Sequence, residues 1–154
     1  METPTFVPAI TYRDPKAAIT WLAEAFGFEL TMAIEDPEGD PAMGHWEMSS
    51  AGSGRIMVGG RWDDRTVSPL DTDGRVTQGV HVTIAGDIDA HCDAARQAGA
   101  RIIMEPADQF YGDRTYRAMD AEDHIWTFSQ AVRVVSRAEA EEAIGAPIFA
   151  TEWS

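Results

Sequence analysis

The same order of structural signals runs twice along this sequence. Thr5–Tyr12 (TFVPAITY) is a β-rich run, and Asp14 then caps a helix that carries Pro15 in its first turn, where a missing N–H costs nothing. Ala18, Trp21, Leu22, Ala25 and Phe26 recur at helical spacing. Gly27 supplies the left-handed residue that stops the helix, and Phe28–Ile34 restarts as a strand. The second pass begins with a strand at Gly79–Ala85 (GVHVTIA). It continues into a helix capped by Asp87 or Asp89, with Ile88, Cys92, Ala95 and Ala98 placed to face inward. Gly99 ends that helix and Ala100–Met104 restarts as a strand. The offset between the passes is about 72 residues. Each helix is followed by three strands: Phe28–Ile34, Gly44–Ser50 and Arg55–Gly60 in the first pass, Ala100–Met104, Arg114–Met119 and Ile125–Gln130 in the second. The turn clusters Asp36–Pro41, Ala51–Gly54 and Asp120–Asp123 separate them.

A module of one helix and four short strands cannot cover both faces of its own sheet. Pairing two modules solves that problem by enclosing a cleft between them. The expected fold is therefore α+β, two tandem βαβββ modules forming a curved mixed sheet around a cleft with the helices outside. Module one spans 5–60, a polar linker 61–78, module two 79–130, and a C-terminal helix and tail 131–154, all in one domain. In the tail, Ser136 and Glu139 form a capping box for a helix over Ser136–Ile144, which Gly145 and Pro147 terminate. Ile148, Phe149 and Trp153 then need a surface, on the same domain or on a neighbouring subunit.

Charge narrows the partners. The formal net charge is -14, with 12 Lys and Arg against 26 Asp and Glu, so neither nucleic acid nor an anionic membrane is expected as a partner. No stretch reaches the roughly 20 apolar residues that span a bilayer. Met1–Thr5 has no basic start leading into an apolar run, and the one cysteine, Cys92, fits a reducing compartment. A cytoplasmic location is expected.

Two segments carry a resemblance. One is Tyr12-Arg13-Asp14 leading into the helix that ends Ala25-Phe26-Gly27-Phe28-Glu29; the other is Tyr111-Gly112-Asp113-Arg114 followed by Asp120-Ala121-Glu122-Asp123-His124-Ile125-Trp126-Thr127-Phe128. Together with the repeat they resemble the glyoxalase/bleomycin-resistance/dioxygenase (vicinal oxygen chelate) superfamily over roughly residues 5–130. Ala121 and Asp123 depart from that family's usual Asp-Pro-x-Gly-His turn, which asks Asp123 to take a left-handed position. Metal-using members place ligands on the first and last strands of each module. Carried over, to within about one residue, those positions are Val7, Met57, Val80 and Thr127, none of them a ligand for Mg, Mn, Ni, Zn or Fe. The resemblance therefore implies no metal and no cofactor here, and a homodimer. His81 adjoins Val80, so strand register decides whether it faces the cleft. His45 and Glu47 alternate on one strand and share a face, a weak two-ligand hint.

Ligand pockets are mostly apolar and aromatic with a few orienting polar groups. Trp46, Met57, Trp62, Phe110, Tyr111 and Tyr116 are the candidates to line the cleft, with Arg55, on the face of Met57, as a partner for a carboxylate or phosphate. Trp126 and Phe128 lie opposite Thr127 and are expected under the helices, and Trp21 in the helix core. Glu105, before Pro106, is a candidate base. The resulting expectation is a metal-independent small-molecule binding protein that sequesters or carries an aromatic or cationic ligand, cations being favoured by the negative charge. The alternative is a lyase, isomerase or dioxygenase of the same superfamily with a non-standard active site, working through Glu105, His81 or Tyr116.

Overall fold

The structure, a computed structural model, describes residues 4–50 and 52–154. Met1–Thr3 and Ala51 lie outside the described residues, and with them the start of the N-terminal segment and the first residue of the Ala51–Gly54 loop. Module one consists of β1 (Ala9–Thr11), α1 (Pro15–Phe26), β2 (Glu29–Ile34), β3 (His45–Ser49) and β4 (Arg55–Gly59). Module two repeats the order with β5 (Val80–Thr83), α2 (Ile88–Gln97), β6 (Arg101–Asp108), β7 (Asp113–Met119) and β8 (Ile125–Ala131), and α3 (Arg137–Ile144) follows. The fold is α+β.

The strands form two four-stranded sheets, ordered β1-β4-β3-β2 and β5-β8-β7-β6, with no ladder between them among the described residues. The expected single curved sheet is thus interrupted at the seam between β1 and β5. Each sheet is mixed, because β1 runs parallel to β4 and β5 parallel to β8 while the other neighbours are antiparallel. β1 is far shorter than the β-rich run Thr5–Tyr12. Pro8 has no N–H to give a ladder, although its carbonyl still accepts from the Met57 N–H at 2.8 Å. β6 runs on through Pro106 to Asp108, which an edge strand with register shifts tolerates.

One face of both sheets is covered by α1 and α2. Leu22, Ala25 and Phe26 of α1 and Ile88, Cys92 and Ala95 of α2 meet Trp46, Val58, Trp126 and Phe128 in a continuous core. Asp14 caps α1 by accepting from the Ala17 N–H, Gly27 ends it at φ 72°, and Asp87 caps α2. Trp21 Nε1 donates to the Ala98 carbonyl at 2.8 Å, joining the two helices.

Buried carboxylates lock the modules together. Asp120 accepts from Tyr12 Oη at 2.5 Å and Trp126 Nε1 at 2.9 Å. Glu122 accepts from the Arg13 and Asp14 N–H groups at 2.6 and 2.9 Å and from Ser68 Oγ at 2.6 Å. His124 Nε2 donates to the Thr11 carbonyl at 2.8 Å. The tail folds back on its own chain: Trp153 Nε1 donates to the Val135 carbonyl and the Arg137 N–H to the Ser154 carbonyl, while Phe149 stays exposed. Among the described residues no helix is long and apolar enough to cross a membrane.

Candidate functional site

Cross-strand pairing sets which side chains leave the core. In module one it aligns Ala9, Met57, Glu47 and Met32 in one row across the sheet. In module two it aligns His81, Thr127, Arg117 and Met104 in the equivalent row. Both rows lie opposite the helix-covered face, since neighbours Trp46, Val58, Trp126 and Phe128 are buried in the core. The equivalent inner pairs are therefore Ala9–Met57 and His81–Thr127. This moves two of the expected ligand positions. Val80 pairs with Trp126 on the core side, so His81 takes its place, and Ala9 stands two residues after Val7. The two inner pairs offer a methyl, a thioether, an imidazole and a hydroxyl, and the neighbouring Glu47 carboxylate is engaged by His45 and Arg55. That set does not fit the metals of the family, which take imidazole and carboxylate together. Among the described residues no three His, Cys, Asp or Glu side chains converge to hold a metal ion.

Beside Met57, the carboxylate of Glu47 is buried between two cleft-side neighbours. His45 Nε2 lies 3.2 Å from Oε1, and Arg55 Nη1 lies 3.5 Å from Oε2. His81 Nε2 lies 3.0 Å from Oγ of Ser129, a buried residue that fixes the imidazole.

The seam between the modules holds a cavity of about 510 Å³. It exists because β1 starts late, after Pro8, and because Ser50, Gly52, Ser53 and Gly54 on the β3–β4 hairpin are small. Phe6, Phe28, Met48 and Ile56 form its apolar wall, and Arg55 and His81 bring the basic groups. Among the described residues no acidic one lines it. On the other end of the seam, the linker covers a smaller cavity of about 300 Å³ bordered by Thr11, Arg65, Arg75, Gln78 and His124.

Of the residues singled out in the sequence, Arg55 lines the seam cavity and Met57 sits in the inner row. Trp46 and Tyr116 are 1% and 0% exposed and face the helices instead. Tyr116 Oη pairs there with His91 Nδ1 at 2.6 Å. Trp62 is 66% exposed on the linker, and Phe110 and Tyr111 stack edge-to-face on the β6–β7 turn; none of the three borders either cavity. Glu105 is held by Arg96 of α2 at 2.7 and 2.8 Å, away from the inner rows. Phe6, Phe28, Met48 and Ile56 were not foreseen as cavity residues. Their spacing reads as strand and core, and only the seam brings them to a shared space.

The family model for the Glyoxalase/Bleomycin resistance protein/Dioxygenase superfamily matches residues 6–128. An uncharacterized protein of Mycobacterium bovis is 35% identical over 65 residues, 42% of this chain and 42% of that protein. The match thus spans about two fifths of the length of the curated relatives. Among solved structures, TioX from Micromonospora sp. ML1 is similar with a TM-score of 0.63 and 28% identity over 84% of this chain and 99% of that one. TnmS3, an antibiotic binding protein from Streptomyces sp. CB03234, shares the fold with a TM-score of 0.62 and 15% identity over 85% and 99% of the two chains.

Proposed function

The chain belongs to the glyoxalase/bleomycin resistance protein/dioxygenase superfamily, and from that premise we propose that it is a metal-independent protein that binds a small aromatic molecule in the seam cavity, sequestering or carrying it. The observation that carries this reading is the pairing of Ala9 with Met57 and of His81 with Thr127 on the first and last strands of the modules, where the resemblance implies metal ligands would stand. The seam cavity, which His81 of the inner row borders, measures about 510 Å³, within the usual range of ~300–1,000 Å³ for small-molecule pockets. Its apolar wall with few polar groups suits an aromatic body. The shared fold with an antibiotic binding protein is consistent with this use. Fold alone does not assign it, because one scaffold serves many chemistries.

The test is a thermal-unfolding screen of chelator-treated protein against an aromatic compound library. A ligand at a hundred times its Kd is expected to stabilise the protein by about 2.7 kcal/mol. If no compound raises the melting temperature until a divalent metal is added, the metal-independent reading fails.

One observation favours a second reading, a lyase or isomerase of the same superfamily. His45, held by the Glu47 carboxylate on the cleft side, is an acid–base pair of the kind such chemistry uses. Turnover of a bound compound that disappears in both His45→Ala and Glu47→Gln, with binding retained, would favour it over simple binding.

A further inference from the structure

We propose that the ligand is an aromatic carboxylate whose anionic end is held by Arg55 and His81. This inference rests on the binding function proposed above and names the class of molecule the cavity takes.

The expectation of a cationic ligand drew on the net charge of -14, but a ligand in contact with the cavity meets the cavity's own groups first. Charges beyond about 8 Å are largely screened at physiological salt. Among the described residues of the cavity wall the ionisable ones are Arg55 and His81, and none is acidic. A cation there would face a guanidinium with no lining carboxylate to balance it.

Arg55 is also available. Its ion pair with Glu47 spans 3.5 Å, too long for a strong hydrogen bond, and among the described residues it makes no other ion pair or hydrogen bond with a side chain. A guanidinium carries five N–H donors in a planar fork that matches a carboxylate. Glu47 is buried, so it fixes Arg55 from the β3 side without reaching the cavity wall. His81 contributes a second donor. Ser129 Oγ engages Nε2 at 3.0 Å, which leaves Nδ1 for a ligand. A carboxylate selects the tautomer in which the Ser129 hydroxyl donates to Nε2 and Nδ1 carries the proton. The Ser50, Ser53 and Thr83 hydroxyls at the wall add neutral donors. The apolar wall of Phe28, Met48 and Ile56 then takes the ring system, with Phe6 at the edge.

The experiment is calorimetric titration of chelator-treated full-length protein with three probes of one shape: 2-naphthoate, 2-naphthylmethanol and 2-naphthylmethylammonium. The naphthoate is expected to bind about tenfold or more tighter than the alcohol, the difference one charge-assisted hydrogen bond supplies, with the ammonium weakest. Arg55→Met is expected to lower naphthoate affinity to that of the alcohol and leave the alcohol unchanged, which also reports that the variant is folded. Arg55→Lys should fall between, because it keeps the charge and loses the fork. His81→Gln should cost the naphthoate severalfold and spare the alcohol. Equal affinity for the three probes, preference for the ammonium, or an Arg55→Met protein that still prefers naphthoate overturns the carboxylate assignment while leaving small-molecule binding intact. Failure of all three probes to bind overturns both.

Discussion

Asp120 accepts four hydrogen bonds in a nearly water-free site: Tyr12 Oη, Trp126 Nε1 and the backbone N–H groups of Glu122 and His124. Hydrogen bonds to a buried charged group each contribute roughly 1.5–3 kcal/mol, and removing the acceptor also strands the Tyr12 and Trp126 donors. Asp120→Ala should therefore cost about 3 kcal/mol or more, read as a lower urea midpoint at unchanged slope. A loss under about 1 kcal/mol would contradict this role. The sequence marked Asp120–Asp123 as a turn, since turn propensity is local. Nothing in the sequence announced that its carboxylates clamp Tyr12, Arg13 and Asp14, although these are the two segments that carried the family resemblance. The pH response follows from neighbouring groups. His91 Nε2 lies 3.1 Å from the Phe26 carbonyl, which can only accept, so Nε2 carries the proton and Nδ1 accepts from Tyr116 Oη. Burial pushes His91 below its ordinary value, partly offset by that carbonyl. Below the unfolded histidine value of about 6.5 the unfolded chain takes up this proton before the native protein does, so stability should fall as pH drops through that region. At the other end, burial raises Tyr12 and Tyr116, with Asp120 adding to the effect on Tyr12. Above about pH 10 the unfolded chain loses these protons first, and stability should fall again. Urea midpoints across pH check both limbs, and the acid limb between pH 7 and 5.5 should shrink in His91→Gln. The same acid slope in that variant would contradict the assignment.

At the scale of elements, what was legible was what is local. The caps Asp14 and Ser136 and the stops Gly27 and Gly145 stand where side-chain and left-handed preferences put them. Asp123 takes the left-handed position at φ 70° that the missing glycine required of it. Strand extents were less legible, because a strand ends where its partner does. Thus β1 shrinks beside Pro8, and β6 outruns its apolar stretch to follow β7. Gly112 shows a local signal with a distant cause. It sits at φ 105° on the β6–β7 turn, and its carbonyl accepts from the Val132 and Arg133 N–H groups at 3.0 and 3.1 Å. A Cβ there would collide with the Arg133 carbonyl. This turn therefore anchors the chain that leads into α3. Left-handed strain of about 1–2 kcal/mol and overpacking of about 1–3 kcal/mol add for Gly112→Ala. The variant should lose about 3 kcal/mol in chemical denaturation, with early proteolysis after residue 131. An unaffected midpoint would show that the turn and the extension are independent.

At the scale of the whole molecule, β2 is an outer edge of the first sheet as β6 is of the second. All six residues of β2 are exposed on a free edge, and Leu30, Met32 and Ile34 are 50%, 43% and 58% accessible. Exposed apolar edge strands invite pairing, and soluble assemblies are most often two-fold symmetric. We expect a homodimer by sedimentation, converted to monomer by the pair Met32→Lys and Ile34→Lys; a wild-type monomer would contradict this. The site was only partly legible for a related reason. Arg55 and Met57 follow from strand alternation, whereas Trp46 and Tyr116 drew notice for their rings and stand one residue out of phase, on the core face. The cavity wall is made by the seam between two sheets, which no local pattern describes. The decisive measurement is elemental analysis of protein purified without chelator, with 2-naphthoate titrated before and after EDTA. Well under one equivalent of any metal per chain, and the same affinity on both sides of the EDTA step, is the expected result. One tightly held equivalent, with binding lost on its removal and restored by its return, would contradict it.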